Sequence, residues 1–282
     1  MSVVHQAIAA AAPADAITGQ ALAWQRTLAE WGHRGEIVAE HVHPSLRDAV
    51  RRLDAGGAET LRSGSVILRY SVWSASVEAA LAAPGPLALW YHNVTPGDLL
   101  RDWNPGLAAD CDRARAALPR LRGRAAALVA DSGFNAAELE EAGLPGAAVV
   151  PLMLDLSAAA AVPADPAGPP SIVSVGRIVP NKRLEDVIKV FALYQRHRAP
   201  DARLTLVGDA SGFEAYRDAL QALAGRLGVR GLRMTGRLPD DARDALYRGA
   251  HAYLCMSVHE GFCAPLVESM AHGVPVLARR AG

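Results

Sequence analysis

The run from Ala252 to Ala271 admits few backbone paths. Ala252-Tyr253-Leu254-Cys255-Met256 is an apolar segment of the length of one buried strand. A glycine-containing stretch follows, Ser257-Val258-His259-Glu260-Gly261-Phe262-Cys263. Pro265 suits the first turn of a helix, where its missing N–H forfeits no bond. Leu266, Val267, Met270 and Ala271 recur at helical spacing until His272-Gly273 closes the pattern. Strand, loop and helix in that order aim free backbone N–H groups and the positive end of a helix dipole at one point, which suits a phosphate. Glu260 on the loop and Glu268 on the helix flank that point. Ionised carboxylates only accept hydrogen bonds, so both match the hydroxyls of a sugar or ribose. For two glutamates at this spacing in isolation, solvated surface residues are the simpler reading.

The same pattern occurs upstream. Ser171 to Val175 reads as a strand and runs into Gly176-Arg177-Ile178-Val179-Pro180-Asn181-Lys182, after which Leu184, Val187, Ile188 and Phe191 mark a helix. Arg177 and Lys182 therefore share one loop at a strand's carboxyl end, facing the region of the Glu260 loop if the sheet is parallel. A diphosphate needs cations there, each charge-assisted hydrogen bond contributing about 1.5–3 kcal/mol. Strands at Arg203–Val207 and Leu232–Thr235 end in Gly208 and Gly236, with helices at Glu214–Leu227 and Asp240–Tyr247. Val274 to Ala278 is one more strand.

The first half repeats the alternation. Val3 to Ala12 is an apolar run, and Ala21, Trp24, Leu28 and Trp31 form one helical stripe stopped by Gly32. Gly19 alone marks the loop between them, so there is no dinucleotide fingerprint. Strands follow at Glu36–Ala39, Ser65–Arg69, Leu87–Tyr91, Ala125–Ala130 and Ala147–Pro151, with helices at Asp110–Leu121 and Asn135–Ala142. This alternation predicts a parallel sheet with helices on both faces, whose ligands bind beyond the carboxyl ends of the strands. His92 stands at one such end; taken by itself it reads as a histidine satisfied by local backbone bonds. Asp131-Ser132 reads as the N-cap of the helix near Asn135. Arg113, Arg115, Arg120, Arg122 and Arg124 read as a solvated helix face, with an anionic lipid headgroup as the alternative partner.

Residues 157–170 are rich in alanine and proline and can bury no core stripe, which places a boundary there. The expected division is a first domain over 1–156, a linker over 157–170 and a second domain over 171–282. A chain of 282 residues suffices for about two domains. Lys+Arg and Asp+Glu number 29 each, a balance that argues against a general nucleic-acid binder. Cys111, Cys255 and Cys263 lack metal-ligand spacing and read as reduced thiols. No cationic leader precedes an apolar run and no apolar stretch reaches transmembrane length, so a soluble cytoplasmic protein is expected.

Together, G-R-x-x-x-x-K from Gly176 and E-G-F followed by P-L-V-E-S-M-A-x-G-V-P-V resemble the nucleotide-sugar site of retaining glycosyltransferases of family 4, which have the GT-B fold. The resemblance is specific from Ser171 onward and diffuse before it. It implies an α/β protein of two Rossmann-like domains facing across a cleft. Because family members continue with further strand–helix units, a truncated second domain is expected. The implied reaction moves a sugar from a UDP-, GDP- or ADP-sugar to the hydroxyl of a sugar, polysaccharide or lipid-linked acceptor, with retention. The nucleotide sugar is a substrate, and neither a cofactor nor a metal is implied. In the family pattern Arg177 and Lys182 hold the diphosphate, Arg237 and Leu238 lie by the base, and Glu268 holds the ribose. Glu260 holds sugar hydroxyls, with Gly261, Phe262 and Cys263 beside it; Cys263 stands where the family often has glycine. His92 contacts the transferred sugar, making the catalytic set His92, Arg177, Lys182 and Glu260. Asn93 and Thr95 are the weaker acceptor-side candidates. The membrane lipids some members modify allow peripheral contact at the inner face of a membrane. The alternatives are a nucleotide-sugar-binding fragment without turnover and a GT-B nucleotide-sugar epimerase.

Overall fold

The computed structural model describes residues 2–157, 159 and 168–281. Most of the linker expected at 157–170 lies outside the described residues. Two compact units form: Met1–Gly97 with Gly106–Met153, and Asp98–Pro105 with Leu154–Gly282. The segment Asp98–Pro105, read in sequence as part of the first domain, thus groups with the second unit.

In chain order the elements up to the linker are β1 (Val4–Ala11), α1 (Ala16–Glu30), β2 (Ile37–Val42), β3 (Val50–Arg52), α2 (Ala55–Arg62), β4 (Ser65–Tyr70), α3 (Ala75–Ala82), β5 (Leu87–Tyr91), α4 (Pro105–Ala117), β6 (Ala125–Ala130), α5 (Gly133–Glu141) and β7 (Ala148–Val149). The strands form one seven-stranded sheet in the order β3-β2-β1-β4-β5-β6-β7, every pair parallel. Covered on both faces, β1, β4 and β5 are mostly buried, which is why they read as apolar runs rather than alternating ones. The exceptions are polar and informative: Gln6 and Arg69 are both buried at the sheet centre.

Three expectations for this unit change. Gly19 lies inside α1, not in a loop, because Asp15 caps the helix by accepting from Thr18 N at 2.8 Å, which starts it upstream. Trp31 follows the last residue of α1 and is 62% exposed, so the buried stripe ends at Leu28. The expected helix 110–121 begins earlier and tightens into a 3₁₀ turn at Leu118–Leu121, where Pro119 has no N–H to continue the α pattern.

The second unit contains β8 (Ser171–Val175), α6 (Leu184–His197), β9 (Arg203–Val207), α7 (Glu214–Arg226), β10 (Leu232–Met234), α8 (Asp240–Arg248), β11 (Ala252–Cys255), α9 (Ala264–Ala271) and β12 (Val276–Ala278). Its five-stranded sheet has the order β10-β9-β8-β11-β12, again all parallel. Val173, Val207, Tyr247, Tyr253, Cys255, Cys263 and Val274 are buried together between sheet and helices. Strand β12 starts later than expected because Val274 donates its N–H to Ser269 O at 2.9 Å and closes α9 instead. Among the described residues no helix is long and apolar enough to cross a membrane.

One-way strands bring every carboxyl end of this sheet to one edge. Gly176 N donates to Val207 O at 2.9 Å and Gly208 N to Gly236 O at 2.9 Å, so the three glycine turns are laced side by side. Gly208 has φ +153°, and a Cβ there would lie 1.9 Å from Gly176 O. No rotamer relieves a clash with a carbonyl, so any side chain forces β8 and β9 apart. Gly208→Ala should therefore lower the urea unfolding free energy of the second unit by about 3 kcal/mol or more. A loss below about 1 kcal/mol would mean that the edge is not held this tightly.

Candidate functional site

The loop after β8 enters a short 3₁₀ turn, Pro180–Lys182, and Arg183 at φ +50° starts α6 without a side-chain cap. That path turns Lys182 back over the sheet edge, where its Nζ donates to Glu260 Oε1 at 2.6 Å and Oε2 at 2.8 Å. Both side chains are largely enclosed, 21% and 12% exposed. Burial opposes the charge on Lys182, but Glu260 and the nearby Cys263 and Cys255 outweigh it and hold the ammonium pKa above its ordinary value. An ammonium has three donors, so one remains after both carboxylate oxygens are served. Gly176 lies beneath: a Cβ there would sit 3.6 Å from Lys182 Cε. Asn181 ties the two loops together, accepting from Val258 N at 2.9 Å and donating through Nδ2 to His259 O at 3.3 Å.

Gly176, Arg177, Lys182, Cys255, Ser257 and Glu260 line a recess at this edge. Arg177 is exposed, its guanidinium 6.0 Å from the Phe213 ring centre, and it forms no ion pair among the described residues. Here a pair of cations and a carboxylate converge, one cation enclosed and oriented, the other open to solvent. Helix α9 opens on Cys263 at φ +62°, again without a side-chain cap, so no side chain competes for its first N–H groups. Gly261 and Phe262 lie between Glu260 and that helix start, both partly buried. The neighbouring Cys263 thiol and Ser257, whose Oγ lies 3.3 Å from the sulfur, lower the Cys255 thiol pKa against its burial. The neighbouring Cys255 sulfur and burial push the Cys263 thiol up.

Glu268 sits further along α9. Its Oε2 accepts from the buried Tyr247 hydroxyl at 3.0 Å, and Arg243 Nε lies 3.8 Å away. Arg237 is exposed after β10, whereas Leu238 is partly buried and packs against the core.

In the first unit the residues expected at strand ends are mostly turned inward. The His92 side chain is 1% exposed, with Nδ1 2.7 Å from Asp131 Oδ2 and Nε2 3.2 Å from Arg69 Nη1. A guanidinium only donates, so Nε2 must accept and Nδ1 must carry the proton. Burial lowers the His92 pKa against the pull of Asp131, consistent with this neutral tautomer. Both ring nitrogens are thus partnered by side chains of the same unit. Asp131, expected as a helix cap, instead serves His92 and Trp90 Nε1, the latter at 2.8 Å; Ser132 alone caps α5. Arg69 also donates Nε to Gln6 Oε1 at 2.8 Å and lies 4.7 Å from the Trp90 ring centre. Burial pulls its pKa down to about 9, opposed by Asp131. A cation in the apolar strand Val66-Ile67-Leu68-Arg69-Tyr70 was the available sequence signal for this network. Asn93, at φ +73°, spends its amide on Asn135 Oδ1 and Glu138 Oε2 at 2.9 and 2.7 Å, because Glu138 from α5 reaches under the turn. Thr95 is half-buried in the following segment. The arginine cluster is less open than expected: Arg113 pairs with Glu78 at 2.9 Å, Arg115 with Glu138 at 3.1 Å, and Arg124 donates to Ala83 O at 2.6 Å.

Residues 159–282 match the family described as glycosyl transferases group 1. A D-inositol 3-phosphate glycosyltransferase of Corynebacterium glutamicum (strain R) is 34% identical over 113 residues, 39% of this chain and 27% of that protein. A GDP-mannose-dependent alpha-mannosyltransferase of Mycolicibacterium smegmatis is 31% identical over 117 residues, 42% of this chain and 27% of that protein. The matched stretch thus spans about a quarter of these relatives. Among solved structures, Anabaena HepE in complex with UDP and glucose superposes with TM-score 0.76 at 17% identity, over 100% of this chain and 82% of that one. Sucrose-phosphate synthase of Thermosynechococcus elongatus does so with TM-score 0.76 at 15% identity, over 100% and 82%. The fold is therefore the α/β GT-B fold with Rossmann-like units.

Two outcomes follow from these buried charges. Removing Asp131 strands Arg69 without a counterion, so Asp131→Ala should cost about 3–5 kcal/mol in urea unfolding; a loss under about 1 kcal/mol would show that Arg69 is neutralised elsewhere. The raised Lys182 pKa stabilises the fold fully below the ordinary lysine value and is lost as pH climbs through the folded value. Lys182→Met should therefore flatten the fall of the urea midpoint above about pH 10 and leave its slope near neutrality unchanged. An identical alkaline limb in the variant would detach Lys182 from that fall.

Proposed function

We propose that the protein is a retaining glycosyltransferase that moves a sugar from a nucleoside diphosphate sugar to an acceptor hydroxyl. The observation that carries this reading is the convergence of Arg177, Lys182 and Glu260 at the carboxyl edge of β8. The oriented Lys182 ammonium and the exposed Arg177 guanidinium bind the diphosphate and stabilise the charge that develops on it as the glycosidic bond breaks. Because both cations belong to the chain, the reading requires no metal ion. Glu260, held by Lys182, accepts from sugar hydroxyls, and the uncapped start of α9 adds backbone donors. Glu268 takes the ribose, its carboxylate oriented by Tyr247. Arg237 and Leu238, beyond β10, adjoin the base. Retention proceeds by departure and attack on one face of the sugar.

Similarity supports the donor class. HepE binds UDP and glucose, and the mycobacterial relative uses GDP-mannose, so UDP- and GDP-sugars are the first donors to test. His92 is assigned a positioning role: with Arg69 and Asp131 it fixes the ends of β4, β5 and β6. The acceptor is a sugar, a polysaccharide or a lipid-linked glycan. Work on the cytoplasmic side of a membrane is consistent with this donor.

Arg177→Ala and Lys182→Ala should each weaken UDP or GDP binding by about tenfold or more in calorimetry while changing nucleoside binding little. Equal losses for nucleoside and diphosphate would remove both residues from the phosphate site. With donor and acceptor supplied, a new glycoside of unchanged anomeric configuration is the expected product by NMR. An inverted product, an isomerised donor or an untouched donor would overturn the reaction proposed.

A further inference from the structure

Seven residues separate Cys255 from Cys263 across a loop, outside any familiar ligand spacing, yet the fold brings them together. Cys255 ends β11, Cys263 starts α9, and the loop between them returns Glu260 to the same point. Both sulfurs and a Glu260 carboxylate oxygen lie within 4.8 Å of one another. Both thiols are free and buried, 6% and 8% exposed. Their backbones are anchored on regular structure: Cys255 O accepts from Arg279 N at 2.8 Å and Cys263 O from Leu266 N at 3.0 Å.

We propose that Cys255, Cys263 and Glu260 form a binding site for a thiophilic divalent cation such as zinc, and that the cation competes with Lys182 for Glu260. Two thiolates and a carboxylate are a three-ligand set for zinc, with the fourth position open to water. Sulfur ligation selects against magnesium and calcium, which take oxygen sets. Zinc–sulfur bonds of about 2.3 Å and zinc–oxygen bonds near 2.1 Å put tetrahedral ligand atoms roughly 3.5–3.8 Å apart. Contraction from the present arrangement is at most about 1 Å, within reach of side-chain rotation on the Glu260 loop. Both thiols release their protons to solvent as the metal binds, and nothing is oxidised. Glu260 now answers the Lys182 ammonium with both oxygens. A dication on that carboxylate repels the ammonium and breaks the pair. Resting on the donor reading above, the metal then inhibits: it takes the carboxylate meant for sugar hydroxyls and displaces the lysine meant for phosphate.

The test uses the whole reduced chain. Cobalt(II) is titrated without nucleotide, and thiolate-to-cobalt charge-transfer absorption is recorded before zinc is added as competitor. One equivalent of cobalt should develop the band and zinc should erase it. Cys255→Ser and Cys263→Ser should each abolish the band and weaken zinc binding by about tenfold or more. Cys111→Ser, in the other unit, should leave both unchanged. Lys182→Met should tighten zinc binding, and Glu260→Gln should weaken it. No band in the wild type, or a band surviving both serine variants, would overturn the site; unchanged affinity in Lys182→Met would overturn the competition. A second measurement needs no variant: zinc should protect Cys255 and Cys263 from alkylation, read by peptide mass spectrometry, and equal labelling with and without zinc would overturn the site. Nucleoside diphosphate binding is titrated separately. Its absence in metal-free protein sinks the donor reading alone, while a missing cobalt band sinks the metal site alone.

Discussion

Strand direction governs everything else in this molecule. Each sheet is wholly parallel, so each gathers its strand-to-helix turns on one edge and buries its central strands beneath helices. In the second unit that edge is narrowed further by the contact between Gly176 O and Gly208, which admits no side chain. The loop of Arg177 and Lys182 and the loop of Glu260 and Cys263 are distant in sequence, and only the common edge makes them neighbours. Their convergence is a product of topology before it is one of chemistry.

The two units handle an enclosed cation in different ways. Arg69 is almost wholly removed from water and is served by Gln6, His92 and the charge of Asp131, leaving no donor directed outward with equal freedom. Lys182 meets one carboxylate with two of its three donors and stays partly exposed. Breaking the first arrangement leaves a buried charge stranded; opening the second releases a charge at a surface where a ligand can receive it. That contrast separates an architectural ion network from one able to exchange partners.

Much of this was legible in the sequence, and the limits have physical causes. The apolar runs Val66–Leu68 and Ile172–Val173 and the helical recurrence of Leu184, Val187, Ile188 and Phe191 depend on burial, which periodicity reports directly. Gly176 to Lys182 and Glu260 to Glu268 were visible as loops between such runs. Strand β3, with only Val50 buried, is too short to show a period, and α2 contains Gly56 and Gly57, which speak against a helix. The pairing of His92 with Asp131 and Arg69 was not legible because nothing local reveals that adjacent strands carry them to one another. Cys255 and Cys263 were read as unrelated thiols because ligand spacing rules describe compact loops, not a strand end and a helix start joined across a sheet edge.

Cys263 carries a consequence of its own. Its backbone occupies the left-handed region at φ +62°, a conformation that disfavours a side-chain-bearing residue by about 1–2 kcal/mol and that glycine adopts without penalty. Replacement by glycine would therefore relax the entrance to α9, and random substitution would find that relief easily. A thiol at this position is held against the backbone's preference, so its retention or loss across descendants of this chain would measure whether the sulfur itself is under selection.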